Sequence, residues 1–226
     1  MNARSLLFAL ACSLSLSSAS GAEEGGAPII DLSGSALLAT KESRTVLKYV
    51  VQCALPATVT AKATHDGQEI QFRGAMGIAP KWQLRALTHE EQAAVSACML
   101  ARTNAFGIPV QISIRSNEGP LARIPGFGTS QPERRAFPVF EGAFFGNVFA
   151  DPPMAYACRG DTSSEAERAL KHINRICTLP TGQLTSQGNP ISACGFVVLG
   201  RCDAPNVNRI KAEYANAAAE VYLPRK

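Results

Sequence analysis

Six widely spaced cysteines restrict the possible folds of this chain more than any other feature of its sequence. They are Cys53, Cys98, Cys158, Cys177, Cys194 and Cys202, and the seventh cysteine of the chain, Cys12, lies apart from them near the N-terminus. None belongs to a C-x-x-C pair, whereas structural zinc sites generally take their cysteine ligands from close pairs of that kind. An even number of separated cysteines is typical of disulfides, which persist in oxidising compartments outside the cytosol. The set therefore predicts three disulfides and an exported protein.

Two predicted helices indicate one of the three bridges. Apolar residues recur at three- and four-residue spacing over 41–54, with Cys53 in the last turn. A second helix begins at a capping box, in which the Thr88 hydroxyl accepts a hydrogen bond from the Glu91 N–H and the Glu91 carboxylate reaches back. Cys98 lies on the apolar face of this helix. A Cys53–Cys98 bridge between the two helices is therefore the preferred pairing.

The other four cysteines are constrained by an apolar run that predicts a buried strand. Cys194 and Cys202 flank this run, and eight residues at about 3.3 Å each separate them by ~26 Å. Bridged Cα atoms lie within about 7 Å, so these two do not pair unless the segment folds back. Their partners are then Cys158 and Cys177, in either of two arrangements. Cys158–Cys202 with Cys177–Cys194 is the preferred one, and the alternative remains open.

The N-terminal residues predict export. Residues 1–22 contain a basic residue, an apolar run of about twelve residues and then a series of small ones, which is typical of a cleavable signal peptide. Ser20 and Ala22 provide the small side chains that signal peptidase requires, so the mature chain would begin at Glu23. A lipid anchor on Cys12 is the less favoured alternative, because the residues before it fit a lipoprotein site only in part.

The distribution of apolar and basic residues argues against a transmembrane segment and against a nucleic-acid partner. Removing residues 1–22 from the 226 leaves 204, in which no apolar stretch reaches the ~20 residues that a transmembrane helix needs. Lysine and arginine are scattered along the chain, whereas nucleic-acid binding requires a concentrated basic surface. We therefore expect no transmembrane segment in the mature chain and no nucleic-acid partner.

The clearest local pattern is a β-hairpin around Asp66-Gly67. A two-residue turn at this dipeptide places apolar residues opposite apolar ones and polar residues opposite polar ones. A slip of one residue would destroy the agreement. The predicted pairs are His65 with Gln68, Thr64 with Glu69, Ala63 with Ile70, Lys62 with Gln71, Ala61 with Phe72 and Thr60 with Arg73.

Helices and strands occur in mixed order without a βαβ rhythm, which predicts an α+β fold. We expect a mainly antiparallel sheet with two or three packed helices, stabilised by disulfides. Glycine and serine are frequent over residues 23–40, which predicts a flexible leader. A single domain would then span 41–226. It would include a long loop at 116–136, where glycine and proline are frequent and apolar residues are few.

Three segments resemble a group of uncharacterised exported bacterial proteins, some of them lipoproteins. The segments are Ser96–Arg115 (SACMLARTNAFGIPVQISIR), Glu141–Phe149 (EGAFFGNVF) and Tyr156–Gly160 (YACRG). The resemblance covers most of the mature chain, from about Val46 to Val198. It implies export and transfers neither an activity nor a catalytic residue.

Candidate chemistry centres on Glu141 and the aromatic residues near it. A carboxylate beside Phe144 and Phe145 suits binding of a sugar or a peptide, and Asp151 could complete a glycosidase pair. The alternative is a strand whose phenylalanines belong to the core. Because the two phenylalanines are adjacent, their side chains point to opposite faces of a strand, and exposure of one would favour a binding surface.

No other catalytic pattern occurs in the sequence. Serine-nucleophile motifs are missing, the histidines are far apart, and paired cysteines leave no free thiolate. Catalytic residues therefore stay unknown, and we expect neither a cofactor nor a metal. The leading hypothesis is a non-enzymatic binding module for a protein or an envelope glycan, in the periplasm or outside the cell. The alternative is a cell-envelope glycan hydrolase using Glu141, which leaves enzymatic activity open.

The mass of the natively exported protein tests export and disulfide formation together. We expect an N-terminus at Glu23, no thiol available for alkylation, and a gain of two hydrogens for each bridge on reduction. The measurement is intact-mass spectrometry before and after reduction. An acylated N-terminus at Cys12, or an alkylated cysteine before reduction, would contradict the prediction.

Overall fold

The computed structural model describes residues 30–224 except 125, 126, 128, 129, 162, 165, 166, 168, 169 and 172–174. The predicted signal peptide, the alternative anchor Cys12 and residues 23–29 of the predicted leader lie outside the described residues. No helix in the described part is long and apolar enough to cross a membrane.

The described strands form two sheets. The smaller has the order β1–β2–β3, and the larger has the order β4–β10–β5–β6–β9–β8–β7. Neighbouring strands are antiparallel except β1 with β2 and β6 with β9. The strands are β1 Ile30–Asp31, β2 Thr60–His65, β3 Gln68–Arg73, β4 Ser113–Arg115, β5 Val139–Asn147, β6 Met154–Arg159, β7 Pro180–Leu184, β8 Pro190–Ser192, β9 Val197–Arg201 and β10 Ala219–Leu223.

Helices pack against these sheets, which confirms the predicted α+β fold. Both long helices, α1 and α2, have the predicted starts and begin with capping boxes. The α-helices are α1 Lys41–Ala54, α2 His89–Arg102, α3 Gln131–Ala136 and α4 Pro205–Glu213; 3-10 helices span Ala36–Leu38, Pro80–Gln83 and Pro120–Arg123.

Helix α2 lies at the centre of the molecule. All nine residues from Ala93 to Ala101 are buried, so every side of the helix is covered. It contacts β5, β10 and α1, and α1 in turn contacts β3. A helix buried on all sides requires small residues for close packing, and four of those nine are alanine. One core cluster therefore joins residues of both sheets and of both long helices.

The hairpin has the predicted register at all six pairs, from His65 opposite Gln68 to Thr60 opposite Arg73. Its turn residues Asp66 and Gly67 have φ angles of 51° and 75°. Positive φ at both central positions matches the twist of the flanking strands. The dipeptide therefore determined the register of β2 and β3 by local geometry.

Two predictions about irregular segments are wrong in part. Residues 30–40 of the predicted flexible leader are ordered, because Ile30, Leu32, Leu37 and Leu38 are buried in the core and β1 pairs with β2. Burial of these four apolar side chains offsets the flexibility of the glycines and serines around them. The predicted loop at 116–136 contains a 3-10 helix and α3, and its Leu121 is fully buried.

All six cysteines pair, and the preferred connectivity is confirmed. The bridges are Cys53–Cys98, Cys158–Cys202 and Cys177–Cys194, with Cα–Cα distances of 6.0, 4.9 and 5.1 Å. The first joins α1 to α2, the second joins the end of β6 to the residue after β9, and the third joins the segment before β7 to the one before β9. The open alternative, Cys158–Cys194 with Cys177–Cys202, is excluded.

Removal of each bridge should cost stability according to the chain length that it closes. The separations of 45 residues for Cys53–Cys98 and 17 for Cys177–Cys194 correspond to about 4 and about 3 kcal/mol of loop-closure entropy. We expect the Cys53→Ala, Cys98→Ala protein to unfold at lower urea concentration than Cys177→Ala, Cys194→Ala. Both pairs are buried, so their cavity costs are comparable. The reverse order in urea titrations would contradict the expectation.

Candidate binding site

The three residues that the sequence suggested for binding are buried. Glu141 is 1% exposed, and Phe144 and Phe145 are fully buried. They form no accessible surface, so the prediction of a binding patch at these residues is wrong. Asp151, the suggested second carboxylate, is exposed at the surface beyond β5.

Both phenylalanines are covered because the large sheet has packed elements on both faces. Phe144 belongs to the main core and makes an edge contact with Phe196. Phe145 points to the opposite face, as the alternation of a strand requires. There it stacks on Tyr156 in a second apolar cluster that includes Val207 of α4. Helix α4 therefore covers Phe145, whose exposure would have favoured a binding surface.

Glu141 occupies an irregularity in β5 that alters the direction of its side chain. In the pairing with β10, Val221 is opposite Gly142 and Tyr222 is opposite Phe140, so Glu141 has no partner residue. Such an extra residue is a β-bulge, which interrupts the strict alternation of side chains between the two faces. Glu141 consequently points into the main core rather than to the face that Phe145 occupies.

A fully buried arginine binds the Glu141 side chain there. Arg175 Nε donates to Glu141 Oε2 at 3.0 Å, and the Arg175 Nη2 atom lies 2.9 Å from the same oxygen. The guanidinium carbon also lies 5.6 Å from the centre of the Phe144 ring. Both charged side chains are inaccessible to solvent. A buried guanidinium requires hydrogen-bond acceptors, and Glu141 Oε2 supplies one of them to Arg175.

The same guanidinium binds the C-terminal end of α2. Arg175 Nη1 donates to the Thr103 carbonyl at 2.7 Å, and Nη2 donates to the Ala101 carbonyl at 3.0 Å. Carbonyls in the last turn of a helix have no partner within the helix and carry partial negative charge. Arg175 satisfies two of them and so connects α2 to β5. Sequence reasoning missed this residue, since nothing in the pattern around Arg175 distinguishes it from a surface arginine.

Burial raises the pKa of Glu141 by more than the charge and hydrogen bonds of Arg175 lower it, so that the pKa is about 7. One carboxylate oxygen, Oε1, has no hydrogen-bond partner among the described residues. An unpaired oxygen in the core makes the ionised form of the carboxylate costly. A pKa near neutrality would suit a general acid, but a catalytic acid must also reach its substrate, and Glu141 is not accessible.

The chain that leaves the fixed end of α2 forms a compact loop, Asn104–Ile108. The Asn104 side-chain oxygen accepts hydrogen bonds from the backbone N–H groups of Phe106 at 3.0 Å and Ile108 at 3.3 Å. Its amide nitrogen donates to the Ile108 carbonyl. Gly107, with a φ of 66°, adopts the left-handed conformation that closes the loop. One asparagine side chain thus fixes the loop at three points.

This loop presents two large apolar side chains to solvent. Phe106 is 57% exposed and Ile108 is 43% exposed. Within the described part of the chain, the other exposed large hydrophobic residues are Leu84, which follows the 3-10 helix Pro80–Gln83, and Leu184 on β7. A pair of apolar side chains held outward by a fixed turn is typical of a surface that contacts another molecule. We therefore take Asn104–Ile108 as the candidate binding site.

The described residues contain no group of three histidine, cysteine, aspartate or glutamate side chains placed to bind a metal ion. Comparison of the chain with protein-family models, with curated proteins and with solved structures finds no match. The choice of Asn104–Ile108 as the candidate site therefore depends on the exposure and hydrogen bonds of this loop alone.

Glu141 should make the stability of the protein depend on pH in a defined direction. Its pKa is about 7 in the native state, compared with 4.5 for an exposed glutamate, which is the value that applies to the unfolded chain. Between these values the native state retains a proton that the unfolded state has released, so the free energy of unfolding falls as pH rises. The slope is at most about 1.4 kcal/mol per pH unit.

The Glu141→Gln variant isolates this effect because glutamine does not ionise. We expect the free energy of unfolding of the wild type, minus that of the variant, to decrease from pH 4.5 to pH 7 and to level off above it. Urea titrations at several pH values measure the difference, in which the contributions of other carboxylates cancel. A difference that increases over the same range would show that Arg175 outweighs burial and that the pKa of Glu141 is lowered.

Proposed function

We propose that this chain is an exported, non-enzymatic binding protein that contacts a partner protein through the loop Asn104–Ile108. The observation that carries the proposal is the exposure of Phe106 and Ile108 on a loop fixed by the Asn104 side chain. A preformed loop loses little conformational entropy on binding, and exposed apolar side chains gain free energy when a partner covers them.

The rigid surroundings of the loop support this role. The loop begins two residues after α2, whose last carbonyls are bound by Arg175 and whose C-terminal half is joined to α1 by Cys53–Cys98. Functional loops are commonly positioned by a rigid scaffold in this way. Export agrees with the three disulfides, which are typical of oxidising compartments. We propose release into the periplasm or the medium, after cleavage before Glu23, rather than an anchor on Cys12.

The chemistry of the loop favours a protein over an envelope glycan. Sugars are recognised through many hydroxyl groups, whereas the loop's own amide side chain is engaged within the loop at Asn104. Phenylalanine with isoleucine suits an apolar pocket on a protein. The alternative of a glycan hydrolase depended on access to Glu141, and the burial of this residue offers it no support.

A photoreactive phenylalanine analogue at position 106 tests the proposal in the cells that export the protein. We expect irradiation to cross-link one discrete protein, and excess purified wild type to suppress the cross-link. The Phe106→Ser, Ile108→Ser protein should suppress it far less, because it lacks both apolar contacts. Gel analysis and mass spectrometry of the cross-linked product provide the measurement.

The matched control places the same analogue at Leu184, which is 59% exposed on β7. The same cross-linked product from both positions would indicate unspecific proximity and contradict the proposal. So would binding of the wild type to phospholipid vesicles, if the double serine variant did not bind them. In that case the occupant of the loop would be a lipid surface rather than a protein.

A further inference from the structure

The strands that end the two sheets differ in how they protect their free edges. In the described part of the chain, β1 has two residues and β4 has three, and β7 carries Pro180 and a register shift. Short edge strands, proline and bulges are the usual means of preventing edge-to-edge association. Strand β3 has six residues, a regular register with β2 and no proline. It is therefore an edge to which another strand can pair.

The hairpin geometry determines which backbone groups of β3 are free. A two-residue turn closes with a hydrogen-bonded pair, here His65 with Gln68, and hydrogen-bonded pairs then alternate along the strands. The N–H and C=O groups of Gln68, Ile70 and Phe72 consequently face β2. Those of the alternate residues, Glu69, Gln71 and Arg73, face outward, and no described strand lies beyond them.

The side chains along this edge are complementary to themselves. Glu69, Gln71 and Arg73 are exposed on one face of β3, while Phe72 on the other face is buried in the core. In an antiparallel pair of β3 strands related by a two-fold axis at Gln71, Glu69 lies opposite the partner's Arg73. Ile70 then lies opposite the partner's Phe72. Directly opposite charges stabilise a strand pair, and this register supplies two such pairs.

We propose that β3 pairs antiparallel with β3 of a second copy of this chain, with Gln71 at the two-fold axis. The backbone groups fit the same register, because residues with outward-facing groups meet one another at all three positions. The pairing forms about six hydrogen bonds, two at each position. It extends the small sheet across the two copies, in the order β1–β2–β3–β3–β2–β1.

The charges of β3 also select this register over others. A shift that places Glu69 opposite the partner's Glu69, or Arg73 opposite the partner's Arg73, brings like charges together. Glu69 already lies 3.1 Å from Lys62 Nζ on its own chain. Arg73 uses Nε for the Ala57 carbonyl, and its terminal nitrogens have no hydrogen bond to the described residues. These nitrogens are available to the partner's Glu69.

A single strand pair buries less area than the interfaces of stable dimers, so the dimer is weak and reversible. Sedimentation equilibrium over a range of concentrations measures the monomer–dimer constant. The Arg73→Glu variant places like charges opposite each other at both pairs and should raise the dissociation constant about tenfold or more. Adding Glu69→Arg to this variant restores opposite charges and should recover most of the dimer.

The matched control is Arg209→Glu, which makes the same charge change on the exposed surface of α4 and should leave the dissociation constant unchanged. A monomer at all concentrations of the wild type would overturn the proposal. So would an equal loss of dimer in the Arg209→Glu and Arg73→Glu proteins, because this would indicate a general charge effect.

Amide hydrogen exchange of the wild type tests the geometry without any substitution. The amides of Gln68, Ile70 and Phe72 are bonded within the hairpin and should be protected at every concentration. Those of Glu69, Gln71 and Arg73 should exchange rapidly in dilute solution and slow as the dimer forms. A dimer in which these three amides exchange at their dilute-solution rates would associate through another surface, and the proposal would be wrong.

Discussion

The contact between Glu141 and Arg175 joins three segments that are distant in sequence, and the packing of the core depends on it. It connects β5 to the C-terminal end of α2 and to the chain before Cys177. Removal of either side chain alone leaves a buried polar group without its hydrogen-bond partner, so neither can be lost alone at little cost. The bulge in β5 directs the Glu141 side chain into the core and leaves Glu141 without a partner residue on β10.

The disulfides and the Arg175 hydrogen bonds act on different parts of the fold. Cys53–Cys98 fixes α2 to α1 in its C-terminal half, whereas Arg175 fixes the end of α2 to the large sheet. The helix therefore cannot shift along its axis without breaking a covalent or a charged contact. Because its C-terminal end is held, the chain that follows leaves the core at a defined position. The Asn104–Ile108 loop is therefore held at a defined position on the surface.

Coverage of the large sheet on both faces restricts which of its parts are accessible. Helix α2 covers one side of β5 and α4 covers Phe145 on the other, so the strand that the sequence marked as a binding surface is internal. Loops and sheet edges remain. Among them, the loop after α2 carries apolar side chains, and β3 carries unpaired backbone groups with alternating charge. Two surfaces with such different chemistry suit two different contacts.

Features that local geometry controls follow from short stretches of the sequence, whereas the others depend on contacts between distant elements. Asp66-Gly67 determined the hairpin register, the box at Thr88 determined the start of α2, and strand length determined which cysteines could not pair. The burial of Phe145 depends on α4, and the role of Arg175 depends on a bulge at Glu141. Neither has a signal within its own segment, because each results from elements that lie far apart in the sequence and meet only when the chain folds. For the same reason, the composition of residues 30–40 suggested mobility, whereas the core binds their four apolar side chains.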